Sequence, residues 1–365
     1  MLRFIHAADF HLDSAFGALP PQQAASRRRE SREQVLRLAN YVNSRGIRLV
    51  LLAGDLFDSG STYRETGEYL ARAFCQMEAQ VVIAPGNHDW YGSGTAWQTV
   101  DWPDNVHIFQ ENRMTVLEFP EWNLAIHGAA FTAPEQAAGL LEGFSAPVDG
   151  KIHLGLLHGE LDAGEGRYNP ICKEEAAASG LSYLALGHIH KRAEPLRLGG
   201  TLCAWPGCIE GRGFDELGEK GFYEGALGED GSVSLDFVPF ARRRYEILKV
   251  DVTGKVPQEA VEAALPESTA ADLYRILLTG ETGERGVDAG ALQEMLTDRF
   301  YALEIQDYTR MAEDIWKRAE EDSLRGLFLR ELRAKLDAAK TEQERKTITQ
   351  AVRFGLAALD HRDLG

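Results

Sequence analysis

Nine side chains, in five short stretches, are of the types that hold cations and move protons: Asp9 and His11, then Asp55, then Asn87, His88 and Asp89, then His158, then His188 and His190. Each stretch follows an apolar run that reads as a strand, such as Phe4–Ala8 before Asp9, Leu49–Ala53 before Gly54-Asp55, and Val81–Ala84 before Gly86-Asn87-His88-Asp89. The runs Ile152–Leu157 and Tyr183–Leu186 precede His158-Gly159 and Gly187-His188-Ile189-His190 in the same way. An amide oxygen, an imidazole and a carboxylate in consecutive positions cannot all enter a core. They are expected at the C-terminal edge of a sheet, where sites of open α/β sheets form.

The chemistry those residue types serve is metal-assisted. Two divalent cations about 3.5–4 Å apart need a bridging carboxylate and nitrogen or oxygen ligands on either side. Asp9 and His11, two apart on a segment read as extended, face the same way and can chelate one ion. Asp55, behind a glycine that allows close backbone approach, is the natural bridge. His188 and His190 repeat the two-residue spacing, and Asn87 with His158 completes the set. Mixed imidazole, carboxylate and amide ligands suit Mn²⁺, with Fe²⁺ second, better than the all-oxygen sites of Mg²⁺ and Ca²⁺ or the thiolate sites of zinc. A single D-x-H or H-x-H says little. Five such endings in this order, each behind an apolar run, are hard to reach by accident. His6, His107, His127, His153 and His361 fall outside the pattern and read as ordinary core or surface histidines.

The elements that must carry these residues alternate short apolar runs with helical stretches from Leu2 to about Phe240, a layered α/β pattern. The periodicity predicts a helix from Arg27 to Arg45, ended by Gly46, and a second from Thr62 to Ala79. After His190 the glycine-punctuated segment predicts hairpins closing a second sheet. From Tyr245 the pattern restarts as a small β-α-β-α-β unit: strands at Tyr245–Val250, Leu273–Leu278 and Ala302–Tyr308, helices at Pro257–Leu265 and Ala291–Phe300. Two amphipathic helices end the chain, the first with Leu324, Leu327, Phe328, Leu332 and Leu336 on one face, the second with Ile348, Val352, Leu356 and Leu359. The expected domains are 1–240, a cap at 241–309, and terminal helices at 310–365 that either fold back or dock onto another protein's helix.

A formal charge of −17 argues against nucleic acid, since phosphate contacts usually need a basic footprint. The distribution softens the objection, because residues 1–50 carry 8 basic against 4 acidic side chains and residues 51–150 carry 3 against 14. Arg27-Arg28-Arg29 with Arg32, and Arg242-Arg243-Arg244, are local basic runs, which more often form solvated faces than binding sites. The four cysteines have no paired or zinc-like spacing and are expected as free thiols. No apolar run approaches a membrane span and the N-terminus has no signal-peptide pattern, so a cytoplasmic protein is expected.

The order D-x-H, G-D, G-N-H-D, H-G, G-H-x-H resembles the five-motif pattern of the calcineurin-like metallophosphoesterases. Ala8–Ser14, Gly54–Asp58, Leu186–Arg192 and the stretch from Trp205-Pro206-Gly207 to Lys220-Gly221-Phe222 are similar to the SbcD-type DNA repair nucleases, the YhaO-like branch in particular; Cys208 stands where that family usually has Ser. The resemblance covers residues 1 to about 240. It implies a four-layer α/β fold, two packed β-sheets flanked by helices, with a small α/β cap and C-terminal helices beyond. It implies that Asp9, His11, Asp55 and His190 hold one metal and that Asp55, Asn87, His158 and His188 hold the second. His88 would face the scissile phosphate, Asp89 would orient that imidazole and raise its pKa, and a hydroxide shared by the metals would attack phosphorus.

The resemblance further implies a Mn²⁺-dependent DNA nuclease subunit, exonuclease or endonuclease, with an SbcC-like coiled-coil ATPase as partner, and dimerisation. The alternative keeps the chemistry and takes small phosphodiesters, such as cyclic nucleotides, or phosphoproteins. A non-catalytic scaffold is disfavoured, since a decayed site would have lost some of these side chains.

Overall fold

The structure is a computed structural model that describes residues 1–359 apart from 61, 62, 163, 165, 284, 285 and 312, with only the backbone described at Glu313 and Asp314. His361, and the expected helix start at Thr62, lie outside the described residues. The chain forms two compact units, Met1–Arg244 and Tyr245–Gly365.

In the first unit the alternation of side chains along each strand builds four layers. Phe4, Leu49, Leu51 and Val82 of one sheet meet Ile126, Leu154, Leu156 and Ala185 of another, forming the central core. The residues between them, Ile5, Val50, Leu52 and Val81, point the other way and are covered by Val35, Leu38, Leu70 and Phe74 of two helices. Leu157, Leu184 and Leu186 likewise turn outward from the second sheet towards Ala176. Strands buried on both faces read as continuous apolar runs because their side chains meet no water on either side.

The first sheet has the strand order Val233–Pro239, Gly221–Leu227, Leu2–Ala7, Leu49–Leu52, Gln80–Ile83, Val106–Ile108. Its last four strands are parallel, and Gly221–Leu227 runs antiparallel beside Leu2–Ala7. The second sheet runs Leu196–Leu198, Thr201–Ala204, Tyr183–Gly187, Ile152–His158, Leu124–Gly128, Thr115–Phe119, with its four central strands parallel. Of the two late hairpins, only Leu196–Ala204 closes the second sheet; the other edges the first, because Gly221–Leu227 pairs with Leu2–Ala7.

The first helix spans Pro21–Arg45, six residues longer at its start than the apolar periodicity indicates. Its opening turns bury Arg27, Glu30, Ser31 and Gln34, with Ala24 the one apolar residue among them, so the hydrophobic pattern begins late. Pro21 at the first turn suits a helix start, and Gly46 at φ 63° ends it. The second helix is Arg64–Cys75, shorter than expected at its end.

The second unit holds a three-stranded parallel sheet, Tyr245–Asp251, Leu273–Thr279 and Ala302–Asp307 in that order, with helices Pro257–Ala264 and Ala289–Leu296. Helices Leu324–Ala338 and Glu342–Leu359 pack through Leu329, Val352 and Leu356 with Met311 and Ile315. The expected face of the first of these helices is therefore displaced. Leu329 is buried, while Leu324 and Leu327 are 70% and 58% exposed, because only one side of the helix meets its neighbours. Among the described residues no helix is long and apolar enough to cross a membrane.

Candidate metal centre

All five loops leave the C-terminal ends of parallel strands, so the two sheets deliver their polar endings to one rim. The backbone there is tightly bent. Asp9, His11, Asp55 and His188 have φ values of 54°, 43°, 53° and 87°. The expectation of an extended segment at Asp9–His11 is thus corrected: both residues are left-handed, and the loop instead tracks its neighbour through Asp9 N–H to Gly54 O and His11 N–H to Asp55 O at 3.1 and 2.9 Å. Left-handed backbone at a non-glycine costs about 1–2 kcal/mol per residue and persists where the surroundings over-determine it. Gly54 and Gly187 let the strands close in, since a Cβ on either would lie 2.6 and 2.8 Å from His158 Nδ1.

The side chains form two groups that share Asp55. In one, ligand atoms of Asp9, His11, Asp55 and His190 all lie within 4.8 Å of one another, with His11 Nε2 and His190 Nε2 only 3.1 Å apart. In the other, Asn87 Oδ1 lies 3.0 Å from His158 Nε2 and 3.2 Å from His188 Nδ1, and His158 Nε2 lies 3.3 Å from Asp55 Oδ2. All seven side chains expected to hold metal are therefore brought together. His6, His107, His127 and His153 lie elsewhere, on Tyr183 Oη, Gln80 Oε1, each other and Asp149.

Two tests on these residues ask whether divalent cations fit. The first is the direction of the ring nitrogens. His158 Nδ1–H donates to Ala53 O at 2.8 Å, and His190 Nδ1–H donates to Glu216 Oε1 at 2.7 Å. His11 Nδ1 lies 3.2 Å from Asp58 Oδ1. With the Nδ1 protons of His158 and His190 committed outward, Nε2 of each ring is the nitrogen that faces inward, the usual arrangement of metal-binding imidazoles.

The second test is charge. Burial opposes ionisation of Asp55, but the charge and hydrogen bond of His158 and the charge of His11 outweigh it and hold the carboxyl well below the usual range. His158 behaves reciprocally: burial lowers it, and Asp55 and Asp9 raise it to about 9, so a proton on the imidazole balances buried carboxylates. A divalent cation supplies the same positive charge and displaces that proton. Both tests are met.

Asp89 does not do the job expected of it. Its buried carboxylate accepts from Gly86 N–H at 2.7 Å, Leu56 N–H at 2.7 Å, Asp55 N–H at 3.2 Å and Phe57 N–H at 3.3 Å, and so ties the Gly86 turn to the Asp55 loop. Burial and the Asp55 charge raise its pKa, while the Gly86 amide, the His158 charge and the Leu56 amide pull it back. The His88 ring instead donates from Nδ1 to Asp58 O at 3.0 Å, and its backbone N–H reaches Asp55 Oδ1 at 2.9 Å. His88 is exposed, edge-on to His11 with ring centroids 4.8 Å apart. Adjacent residues on a tight turn point apart, which is why a neighbour in sequence is not the partner in space.

Sequence reasoning passed over four residues. Asp58 aims His11 and His88, Glu216 aims His190, and Arg212 bridges the two carboxylates, with Nη1 at 3.1 Å from Asp58 Oδ1 and Nη2 at 2.8 Å from Glu216 Oε1. Asn169, buried and left-handed at φ 54°, donates to His158 O at 2.8 Å and accepts from Leu140 N–H. None follows an apolar run, so the signal that found the others misses them. The basic runs are largely paired: Arg27 with Glu30 and Glu210, Arg32 with Asp13, Arg242 with Glu33 and Glu30, Arg243 with Glu30, and Arg244 with Glu219.

The profile of the calcineurin-like phosphoesterases matches residues 2–192. This chain belongs to that family. It is 33% identical over 269 residues to the metallophosphoesterase YhaO of Bacillus subtilis (strain 168), covering 69% of this chain and 64% of that protein. It is 22% identical over 277 residues to the DNA double-strand break repair protein Mre11 of Methanopyrus kandleri, covering 70% of this chain and 60% of that protein. It thus spans less than two thirds of either relative's length. The family uses divalent metals to hydrolyse phosphoesters, and the Asp and His cluster at the rim of this chain could bind them.

Proposed function

We propose that this phosphoesterase is a two-metal, Mn²⁺-dependent phosphodiesterase that cuts DNA. The observation that carries the two-metal part is the sharing of Asp55 between two ligand groups, with His88 exposed beside them. The seven assigned ligands are Asp9, His11 and His190 on one side, Asn87, His158 and His188 on the other, and Asp55 between. When bound, such a cation pair supplies the positive charge that polarises a phosphoryl oxygen and acidifies water. The chain's own part is orientation and proton handling. Because the Asp58 carbonyl takes the His88 Nδ1 proton, His88 Nε2 is turned away from it, and when the ring carries a second proton there it can donate to a phosphoryl oxygen or pass that proton to the leaving oxygen, returning to the neutral imidazole. Asp55 fixes that histidine's backbone, and Asp89 fixes the loop carrying Asp55.

DNA as substrate is supported by the similarity to Mre11 and by the SbcD-like motifs, against the chain's net charge of −17. A partner that brings positive surface would offset that charge, and an SbcC-like coiled-coil ATPase has that role in the proposal. Its docking is assigned to the two terminal helices, where Leu324, Leu327 and Phe354 are exposed.

The test is purified protein with Mn²⁺ on end-labelled duplex and single-stranded DNA, with cyclic nucleotides in parallel. DNA cleavage is expected, and turnover confined to cyclic nucleotides would reject the DNA reading. His88→Ala should abolish turnover while retaining two Mn²⁺ per chain by elemental analysis; loss of metal would mean His88 has another job. Failure of the ATPase to co-elute with the protein would remove the partner assignment.

A further inference from the structure

The imidazoles of the Asp9 side of the site are aimed by carboxylates from outside the ligand set, and one guanidinium joins those carboxylates. Glu216 Oε1 accepts from His190 Nδ1–H at 2.7 Å and from Arg212 Nη2 at 2.8 Å, and Arg212 Nη2 and His190 Nδ1 converge on it 3.0 Å apart. Glu216 Oε2 accepts from Arg212 N–H at 2.7 Å and, at 3.4 Å, from Arg212 Nε. Arg212 Nη1 donates to Asp58 Oδ1 at 3.1 Å, and that same oxygen lies 3.2 Å from His11 Nδ1. A planar fork of this kind fixes direction as well as charge, which a lysine ammonium cannot do.

The segment carrying this pair is itself held from beneath. Gln34 Nε2 donates to Ile209 O at 3.1 Å, and fully buried Arg27 donates to Glu210 Oε1 at 2.7 Å and Gly211 O at 3.1 Å. A rigid helix thus supports the loop, the loop supports Arg212 and Glu216, and they support two ring orientations. On the other side of the site His158 Nδ1 rests on a backbone carbonyl, and among the described residues no carboxylate–guanidinium pair aims that ring.

We propose that Arg212 and Glu216 are positioning residues that set the affinity of the cation held by Asp9, His11 and His190, leaving the cation at Asn87, His158 and His188 unaffected. This rests on the two-cation reading above. Outer partners of metal-binding histidines typically change metal affinity about 10–100-fold when removed. Arg212→Gln frees both carboxylates at once. Glu216→Ala releases His190, whereas Glu216→Gln keeps an oxygen acceptor for the Nδ1 proton and should recover much of the loss.

The experiment is Mn²⁺ titration of the full chain by calorimetry, with electron paramagnetic resonance to separate an isolated Mn²⁺ from a spin-coupled pair. Wild type is expected to take two ions and show the coupled signal. R212Q and E216A should keep one ion at wild-type affinity and bind the other about 10–100-fold more weakly. At one to two equivalents they should show the isolated-ion signal, with E216Q intermediate. Wild-type affinity at both sites in both variants would overturn the proposal, as would equal weakening at both sites. Wild type binding fewer than two ions would instead overturn the two-cation reading. Should R212Q melt well below wild type without metal, the comparison of E216A with E216Q decides.

Discussion

The two sides of the candidate metal centre are built differently. On the Asp9 side, His11 and His190 are turned by Asp58 and Glu216, side chains with their own rotamers that must themselves be held. His190 remains 30% exposed there. On the Asn87 side, His158 is fully buried and turned by the Ala53 carbonyl, a group fixed by the sheet, and glycines at 54 and 187 leave room for nothing else. Backbone support is rigid and intolerant of added volume; side-chain support is adjustable and depends on charge. The Asp9 side is therefore the one where affinity can be tuned without disturbing the core, and the Asn87 side is the one whose damage spreads into the fold.

Asp55 belongs to both sides, so its loss should erase the comparison. Asp55→Ala is expected to lower turnover at least about 10³-fold, in line with loss of charge stabilisation at a two-metal centre, and to leave fewer than two Mn²⁺ per chain. Two tightly bound ions in that variant would show that the carboxylate is not shared.

Gly187→Ala should strike one side alone. The new Cβ would lie 2.8 Å from His158 Nδ1 and press on the Ala53 carbonyl. Overpacking of this kind costs about 1–3 kcal/mol. A lower melting temperature and weakened binding of a single ion are expected. A variant with wild-type stability and metal content would mean the backbone can yield there, and that the contrast in rigidity is false.

The smallest effect lies away from both sides and provides the baseline. Burial, with the His153 charge, lowers His127 to about 4, so folding favours its neutral form. As pH falls from 6.5 towards 4 the unfolded chain takes up a proton that the folded chain refuses, and stability declines across that window. Buried His6, lowered to about 3, adds a decline of the same sign. Melting temperature against pH should fall less steeply in His127→Gln than in wild type. Equal slopes would show that the acid sensitivity arises elsewhere.

The layered α/β fold and the gathering of Asp, Asn and His side chains at one rim were legible because both follow from strand endings. An apolar run buried on both faces declares itself, and a polar triplet directly after it has nowhere to go but the rim. The start of the first helix was illegible because Arg27, Glu30 and Gln34 occupy its buried face and break the apolar period. The role of Asp89 was misread for a related reason. Spacing along the chain fixes which residues are neighbours but not which side of a turn or helix meets the interior.

What the chain determined alone was the inventory at the rim: which carboxylates, imidazoles and amide stand at the ends of which strands, and hence the chemistry they suit. Only the folded arrangement decided what aims them. His158 meets a carbonyl 105 residues away, His190 a carboxylate 26 residues on, and Arg212 joins Asp58 across 154 residues. Such contacts leave no local pattern, because a hydrogen bond depends on where two loops arrive after the sheets have stacked and not on the residues that flank either partner.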